Sequence, residues 1–305
     1  MVRRQQRLVT GRSCRDTDNL LCSPRPAAPT IAPRPSPNFP MSQYDFRFER
    51  GSDGVAVLTL DRPETLNSLT FAIYGQLERL FRELDDDESV KAVVLTGHGR
   101  GFCSGGSVEE IIGPLIESEL DGTLAFTRMT GAVVRNMLRL GKPIIAAVNG
   151  IAAGAGAVLA LASDMRVFSQ NAKIALLFTK VGLTGADMGA AWLLPKIVGT
   201  GRALELLMLG DRVSAEECLR IGLANRVVAE DQVLAESLML ARRLAAGPGL
   251  ALAMTKKMVW NEWTMDLDAA IEQEAQAQAL MLRGHDHREF YNAWMEKREP
   301  RFLGR

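Results

Sequence analysis

Two runs of small residues, each following an apolar stretch and preceding a helical one, restrict this chain more than any other feature. They are Phe102-Cys103-Ser104-Gly105-Gly106-Ser107 and Asn149-Gly150-Ile151-Ala152-Ala153-Gly154-Ala155-Gly156-Ala157. Without bulky Cβ substituents, a main chain can pack on another main chain or lie directly against a ligand. Exposed N–H groups at a helix start, with the helix dipole behind them, suit a developing negative oxygen. Close helix-strand packing explains either run alone; two runs in the same surroundings favour a ligand site. Neither is a phosphate loop: Gly-x-x-x-x-Gly-Lys-Ser/Thr is absent, and Gly154-x-Gly156 lacks the third glycine of a dinucleotide-binding turn.

Around these runs the chain alternates strands and helices. Asp45 to Glu49 and Val55 to Leu60 read as short strands joined by a hairpin at Gly51 to Gly54. Ile73, Leu77, Leu80, Phe81 and Leu84 recur at three- and four-residue spacing and predict an amphipathic helix over Thr70 to Asp85. Ala92 to Leu95 is the next strand, and the scheme repeats through a helix near Thr123 to Leu140 and strands at Ile144 to Val148 and Met165 to Phe168. After Gly182 the pattern turns helical. Ser214-Ala215-Glu216-Glu217 is a capping box, and Val233 to Ala246, Leu250 to Trp263, Leu267 to Leu282 and Arg288 to Lys297 are further helical stretches. The expectation is an α/β fold with a core over residues 41–240 and a helical region over 241–305.

Residues 1–40 differ in kind. They hold seven arginines, no lysine, two aspartates and seven of the 13 prolines, with no apolar period, and are expected to be disordered. Three origins stay open: an organelle transit peptide, a regulatory tail, or upstream sequence with Met41 as the true start. The rest carries 29 basic and 34 acidic side chains, so no basic surplus marks a nucleic-acid binder. No apolar run reaches the roughly 18 residues that a bilayer span needs, so no membrane span is expected. Four separated cysteines and three histidines lack metal-ligand spacing, so no metal is expected, and a reducing, cytoplasmic compartment fits.

At five separated places the chain resembles the crotonase, or enoyl-CoA hydratase/isomerase, superfamily. These are Leu60-Asp61-Arg62-Pro63-Glu64-Thr65-Leu66-Asn67-Ser68-Leu69, Gly101 to Gly106, Lys142 to Gly150, Gly210 to Glu217 with Gly222-Leu223, and the terminal Glu296 to Phe302. The resemblance implies a spiral of repeated strand-strand-helix units, C-terminal helices that build a homotrimer or a dimer of trimers, and an acyl-CoA thioester as ligand. It implies no cofactor beyond the coenzyme A of the substrate. By position, Ser104 and Ala155 look like the two N–H donors that hold the thioester oxygen and stabilise an enolate. Gly105, Gly106 and Gly154 shape those turns. Arg62, Leu66, Asn67 and Ser68 would line the coenzyme A channel, with a turn or cap role for Asn67 as an equal alternative.

The departures from the family pattern bear on the reaction. The two positions where family hydratases carry glutamates hold Val158 and Phe178, so two-carboxylate hydration has lost both participants. Ser107 replaces the usual aspartate but still opens a capping box with Glu110. Asp187 resembles an acid used by dienoyl-CoA isomerases of the family, allowing a one-residue shift; a helix-cap or dipole role is its alternative. Glu117, Glu119 and Asp121 form a second acidic pool in a region where, by the resemblance, family members place extra acids; they are alternative proton-transfer candidates, with solvated surface as the favoured reading. Asp164 reads as a structural strand-start aspartate, His98 as a loop residue and Tyr74 as a packing residue. Three functions compete: an isomerase or non-standard hydratase working through a thioester enolate, a degenerate subunit that only binds CoA esters, and a hydrolase or lyase on the same scaffold. Deletion of residues 1–40 is expected to leave the melting temperature unchanged, since no periodic apolar residues are lost; a fall of several degrees in a thermal melt would show that the segment packs.

Overall fold

In the computed structural model, which describes residues 44–304, each strand-strand-helix unit sends its first strand to one sheet and its second to another. The first unit is an exception. Strands β1 (Arg47–Arg50) and β2 (Val55–Leu60) form an antiparallel hairpin, and α1 (Phe71–Glu83) follows, capped by the Thr70 hydroxyl, which accepts the Ile73 N–H. The second unit is β3 (Ala92–Gly97), β4 (Gly101–Cys103), a π-helical turn over Val108–Ile112, α2 (Gly113–Ile116) and α3 (Leu120–Arg139). The third is β5 (Ile144–Val148), β6 (Ile151–Ala153) and α4 (Ala155–Ala162). The fourth is β7 (Met165–Ser169), β8 (Lys173–Ala175), a 3-10 turn over Leu177–Val181, α5 (Ala190–Val198) and α6 (Thr200–Leu209). This is the α/β spiral that the resemblance implies.

Beyond it lie β9 (Val213–Ser214), α7 (Ala215–Arg220), β10 (Arg226–Val228), α8 (Val233–Ala245), α9 (Gly249–Glu262), α10 (Leu267–Leu282) and α11 (His285–Glu296). The larger sheet runs β1-β2-β3-β5-β7-β10 and is parallel from β2 onward; the smaller runs β4-β6-β8-β9. The expectation of a purely helical chain after Gly182 is therefore corrected: β9 and β10 close one edge of each sheet. They span two and three residues, too few for a period to show.

Every residue of β3 and β5 is buried, as in a parallel sheet covered on both faces. Alternation divides the side chains. Val93 and Leu95 face the main core under α1, α3 and α4, while Ala92 and Val94 join Ile145, Ala147 and Val167 against Val233, Leu240, Ala241 and Ala245 of α8. The junction expected at residue 240 thus falls inside α8, a helix of the core, and the core extends past it. The Ser214 hydroxyl caps α7 through the Glu217 N–H as the capping box predicts. The expected disorder of residues 1–40 lies outside the described residues. Among those described, no helix is long and apolar enough to cross a membrane.

One buried cation ties the C-terminal helices to the sheet. Lys256 of α9 donates to the carbonyls of Met137 (2.9 Å) and Lys142 (3.3 Å) and to Asp164 Oδ2 (2.8 Å), and that same oxygen accepts the Ile144 N–H at 2.7 Å. Burial pushes the Asp164 carboxyl up, opposed by the charge of Lys256. Removing one partner strands a buried charge, so Lys256→Met is expected to lower stability by about 3–5 kcal/mol. The double variant Lys256→Met/Asp164→Asn should recover part of that loss, measured as urea midpoints.

Candidate active site

β4 and β6 pair in parallel, so the two small-residue turns that follow them leave the sheet side by side. Their contact is main chain on main chain. A Cβ at Gly156 would stand 2.2 Å from the Cys103 carbonyl oxygen, and one at Gly105 (φ +101°) would stand 3.0 Å from Ala153 O and 3.6 Å from Ala155 N. Only glycine permits that approach at 156, and the φ of Gly105 also favours glycine. The Cys103 side chain is fully buried here, and burial pushes its thiol up to about 12.

The first turn lies along residues 66–69 as a short parallel pair. Ser104 N–H donates to Leu66 O (2.9 Å), Leu69 N–H to Gly105 O (2.8 Å) and Ser107 N–H to Leu69 O (2.8 Å). The Ser104 hydroxyl also donates to Thr65 O at 2.8 Å. This corrects the expectation that Ser104 supplies an N–H to a ligand: both of its donors hold the turn to its neighbour. In a trans peptide the N–H points opposite to the C=O. Because Gly105 O faces Leu69, the N–H of Gly106 faces away from the 66–69 segment, and no acceptor among the described residues meets it. Ala155 is the first residue of α4, whose first internal bond runs from Val158 N–H to Gly154 O at 3.1 Å. Its N–H has no intrahelical acceptor and sits at the positive end of a buried helix.

Asn67 is 1% exposed and its amide is fully engaged inside the protein. Oδ1 accepts the Arg62 N–H (2.9 Å), and Nδ2 donates to His98 O (2.9 Å) and Gly101 O (2.8 Å). The expected channel role gives way to its turn alternative: at φ 58°, beside Leu66 at φ 55°, Asn67 holds two left-handed residues in place. Ser68 is nearly buried, its hydroxyl donating to Thr65 Oγ1 at 2.8 Å. Arg62 is fixed by Ser68 O (3.2 Å) and Glu110 Oε2 (2.6 Å) at the edge of a cavity of about 550 Å³ that Phe71 and Ile73 also line. The Arg62 guanidinium holds the exposed Glu110 carboxyl below its ordinary value.

Phe178 closes the second turn, with Cε1 3.9 Å from where a Gly154 Cβ would be, and Val158 is fully buried one helical turn into α4. Asp187 is half-buried. Its Oδ1 accepts the N–H of Met188 at 2.9 Å, and its carboxyl is pushed up by burial, with that N–H in opposition. It does not cap α5, whose N-cap is Gly189 with no side-chain bond, so the capping alternative is removed. Left-handed Met188 (φ 49°) and Gly189 (φ 88°) set the loop that presents it. Glu117, Glu119 and Asp121 are exposed, as expected of a solvated pool. His98 Nδ1 pairs with Asp61 Oδ1 at 2.5 Å on the surface.

Two groups escaped the sequence reading. The Gly106 N–H is exposed by hydrogen-bond alternation that only a neighbouring segment reveals. Tyr74, on the apolar face of α1, packs edge-on to Phe126 with ring centroids 5.5 Å apart, and its hydroxyl lies 3.9 Å from where a Gly106 Cβ would be.

The sequence profile of the family described as "Enoyl-CoA hydratase/isomerase" matches residues 50–305. The 1,2-epoxyphenylacetyl-CoA isomerase of Escherichia coli K12 is 37% identical over 262 residues, 86% of this chain and 99% of that one. The short-chain-enoyl-CoA hydratase of Clostridium acetobutylicum is 31% identical over 80% of this chain and 92% of its own length. Among solved structures, a protein from Streptomyces coelicolor A3(2) is 49% identical with a TM-score of 0.84, covering 92% of this chain and 100% of that one. The turn contact itself yields a stability test. Gly156→Ala should lose about 1–3 kcal/mol or more, because Cys103 O is immobile backbone. Gly131→Ala, where a Cβ meets nothing within 4 Å, should gain up to about 1 kcal/mol in the same denaturation assay.

Proposed function

The chain belongs to the enoyl-CoA hydratase/isomerase, or crotonase, family and is an enzyme of it, and from that premise we propose that it shifts a double bond in an acyl-CoA ester through a thioester enolate. One observation carries this reading: the paired turns hold two main-chain donors without acceptors, Gly106 N–H and Ala155 N–H, the Asp187 carboxylate lies within electrostatic reach of the Tyr74 hydroxyl beside Gly106, and Val158 and Phe178 can neither accept nor donate a proton. The donors hold the thioester oxygen and act most strongly when charge develops on it. Asp187 takes a proton from a carbon adjacent to or conjugated with the thioester, the electron pair moves onto that oxygen, and the same carboxyl returns the proton at the other end. No atom is gained or lost. A single acid suffices for this exchange, whereas the two-carboxylate addition of water needs two.

The raised carboxyl of Asp187 supports a proton-transfer role, since burial brings it nearer to neutrality. The name of the E. coli relative supports isomerisation over hydration. Hydrocarbon at Val158 and Phe178 favours an acyl group that is substantially apolar. The assembly we propose is a homotrimer or a dimer of trimers, supported by large apolar side chains left exposed on and beside α9 to α11, among them Trp263 just past α9, Leu267, Leu280 and Trp294. Light scattering at micromolar concentration tests it, and a clean monomer overturns it.

Asp187→Asn keeps the shape of the side chain and removes its basicity. Turnover should fall by about 10²- to 10⁴-fold with acyl-CoA affinity within a few fold. The wild-type pH profile supplies a second readout. Only the ionised carboxyl accepts a proton, and its pKa lies above the ordinary value of about 4, so kcat/KM should decline as pH drops through a limb displaced upward from that value. Asp187→Asn should lack the limb. Unchanged turnover in the variant would move proton transfer to another group, and release of free CoA or gain of water by the substrate would replace isomerisation with hydrolysis or hydration.

A further inference from the structure

Tyr74 is the polar side chain that the proposed reaction leaves unused. It is 3% exposed, its hydroxyl has no hydrogen-bond partner among the described residues, and it lies beside Gly106, the residue whose N–H would hold the thioester oxygen. The hydroxyl oxygen is not sealed from solvent, so a ligand that covers it without offering an acceptor imposes the desolvation penalty of an unmet polar group. Its nearest surroundings offer little: Ile111 and Phe126 are hydrocarbon, and the Cys103 thiol is a poor acceptor. Position decides the question. The hydroxyl reaches the first turn from the α1 side, within the field of Asp187, whose negative charge adds to burial in raising the phenol well above its ordinary value. The group is therefore a donor that stays protonated throughout the working range.

We propose that the Tyr74 hydroxyl is a specificity-determining donor that hydrogen-bonds an oxygen substituent on the acyl group, at the first carbons beyond the thioester. The favoured ligands are then acyl-CoA esters carrying a hydroxyl, epoxide or enol oxygen near the reacting carbons, on an otherwise apolar chain. This deepens the acyl-CoA reading and rests on it. With a plain hydrocarbon acyl group the phenol stays unpaired in the complex; with an oxygen substituent it is satisfied. An unmatched polar group is what makes such sites reject the analogue that lacks the oxygen.

The test is binding, which does not depend on turnover. Affinities of wild type and Tyr74→Phe are measured by calorimetry for butanoyl-CoA and its 2- and 3-hydroxy derivatives, with a thermal melt to confirm that the variant folds. Wild type should prefer one hydroxy ester over butanoyl-CoA by about tenfold, the worth of one hydrogen bond. Tyr74→Phe should erase the preference while binding butanoyl-CoA as before. A preference that survives in the variant, or none in wild type, overturns the proposal. If none of the three esters binds wild type, the acyl-CoA reading itself fails and this one falls with it; if all bind equally, only the role of Tyr74 fails.

Discussion

The contact of Gly156 with the Cys103 carbonyl is the constraint on which the rest of the site depends. It brings the start of α4 against the end of β4, closer than any side chain would allow. From that approach follows the pairing of β4 with β6, and from the pairing the neighbourhood of Gly105 and Ala155. The parallel sheet behind supplies the stiffness, since β3 and β5 are buried from end to end and fix where β4 and β6 begin. A site whose donors are main-chain atoms has no rotamers to lose, so its geometry is as firm as the packing of its strands.

The 66–69 segment then decides which donors remain free. By pairing with the first turn it absorbs the N–H groups of Ser104 and Ser107 and leaves that of Gly106 on the opposite side. Asn67 holds this arrangement by bridging Arg62, His98 and Gly101 through one amide. The register of the segment, set by two left-handed residues, thereby selects the parity of the turn beside it.

Much of the fold was legible because its period is long and its apolar faces are clean. The amphipathic helix α1, the hairpin of β1 and β2, the apolar runs of β3, β5 and β7, and the Ser214 cap all follow from local pattern. The strands that escaped, β4, β6, β8, β9 and β10, are two or three residues long and exist through their partners. Both small-residue turns were visible as turns, but the N–H that the structure leaves without an acceptor is that of Gly106, two residues past Ser104. Alternation in a paired strand depends on what lies beside it, and residues 66–69 are more than thirty positions away in sequence. Tyr74 was hidden for the opposite reason: its spacing with Leu77 and Phe81 is that of a core helix face, and only the three-dimensional approach to Gly106 separates its hydroxyl from its ring.

The buried thiol at the heart of the turn contact has a chemical consequence. Cys103 lies next to main-chain donors that would attract an anion, a setting in which many cysteines become reactive. Yet its side chain is fully enclosed and burial pushes its thiol up to about 12, so near neutral pH it is neither ionised nor reachable. Electrophiles and peroxides that silence thiolate-dependent sites find no nucleophile here. The protein places a sulfur atom within this close main-chain contact and keeps it chemically inert, so oxidants have no direct handle on this turn through Cys103.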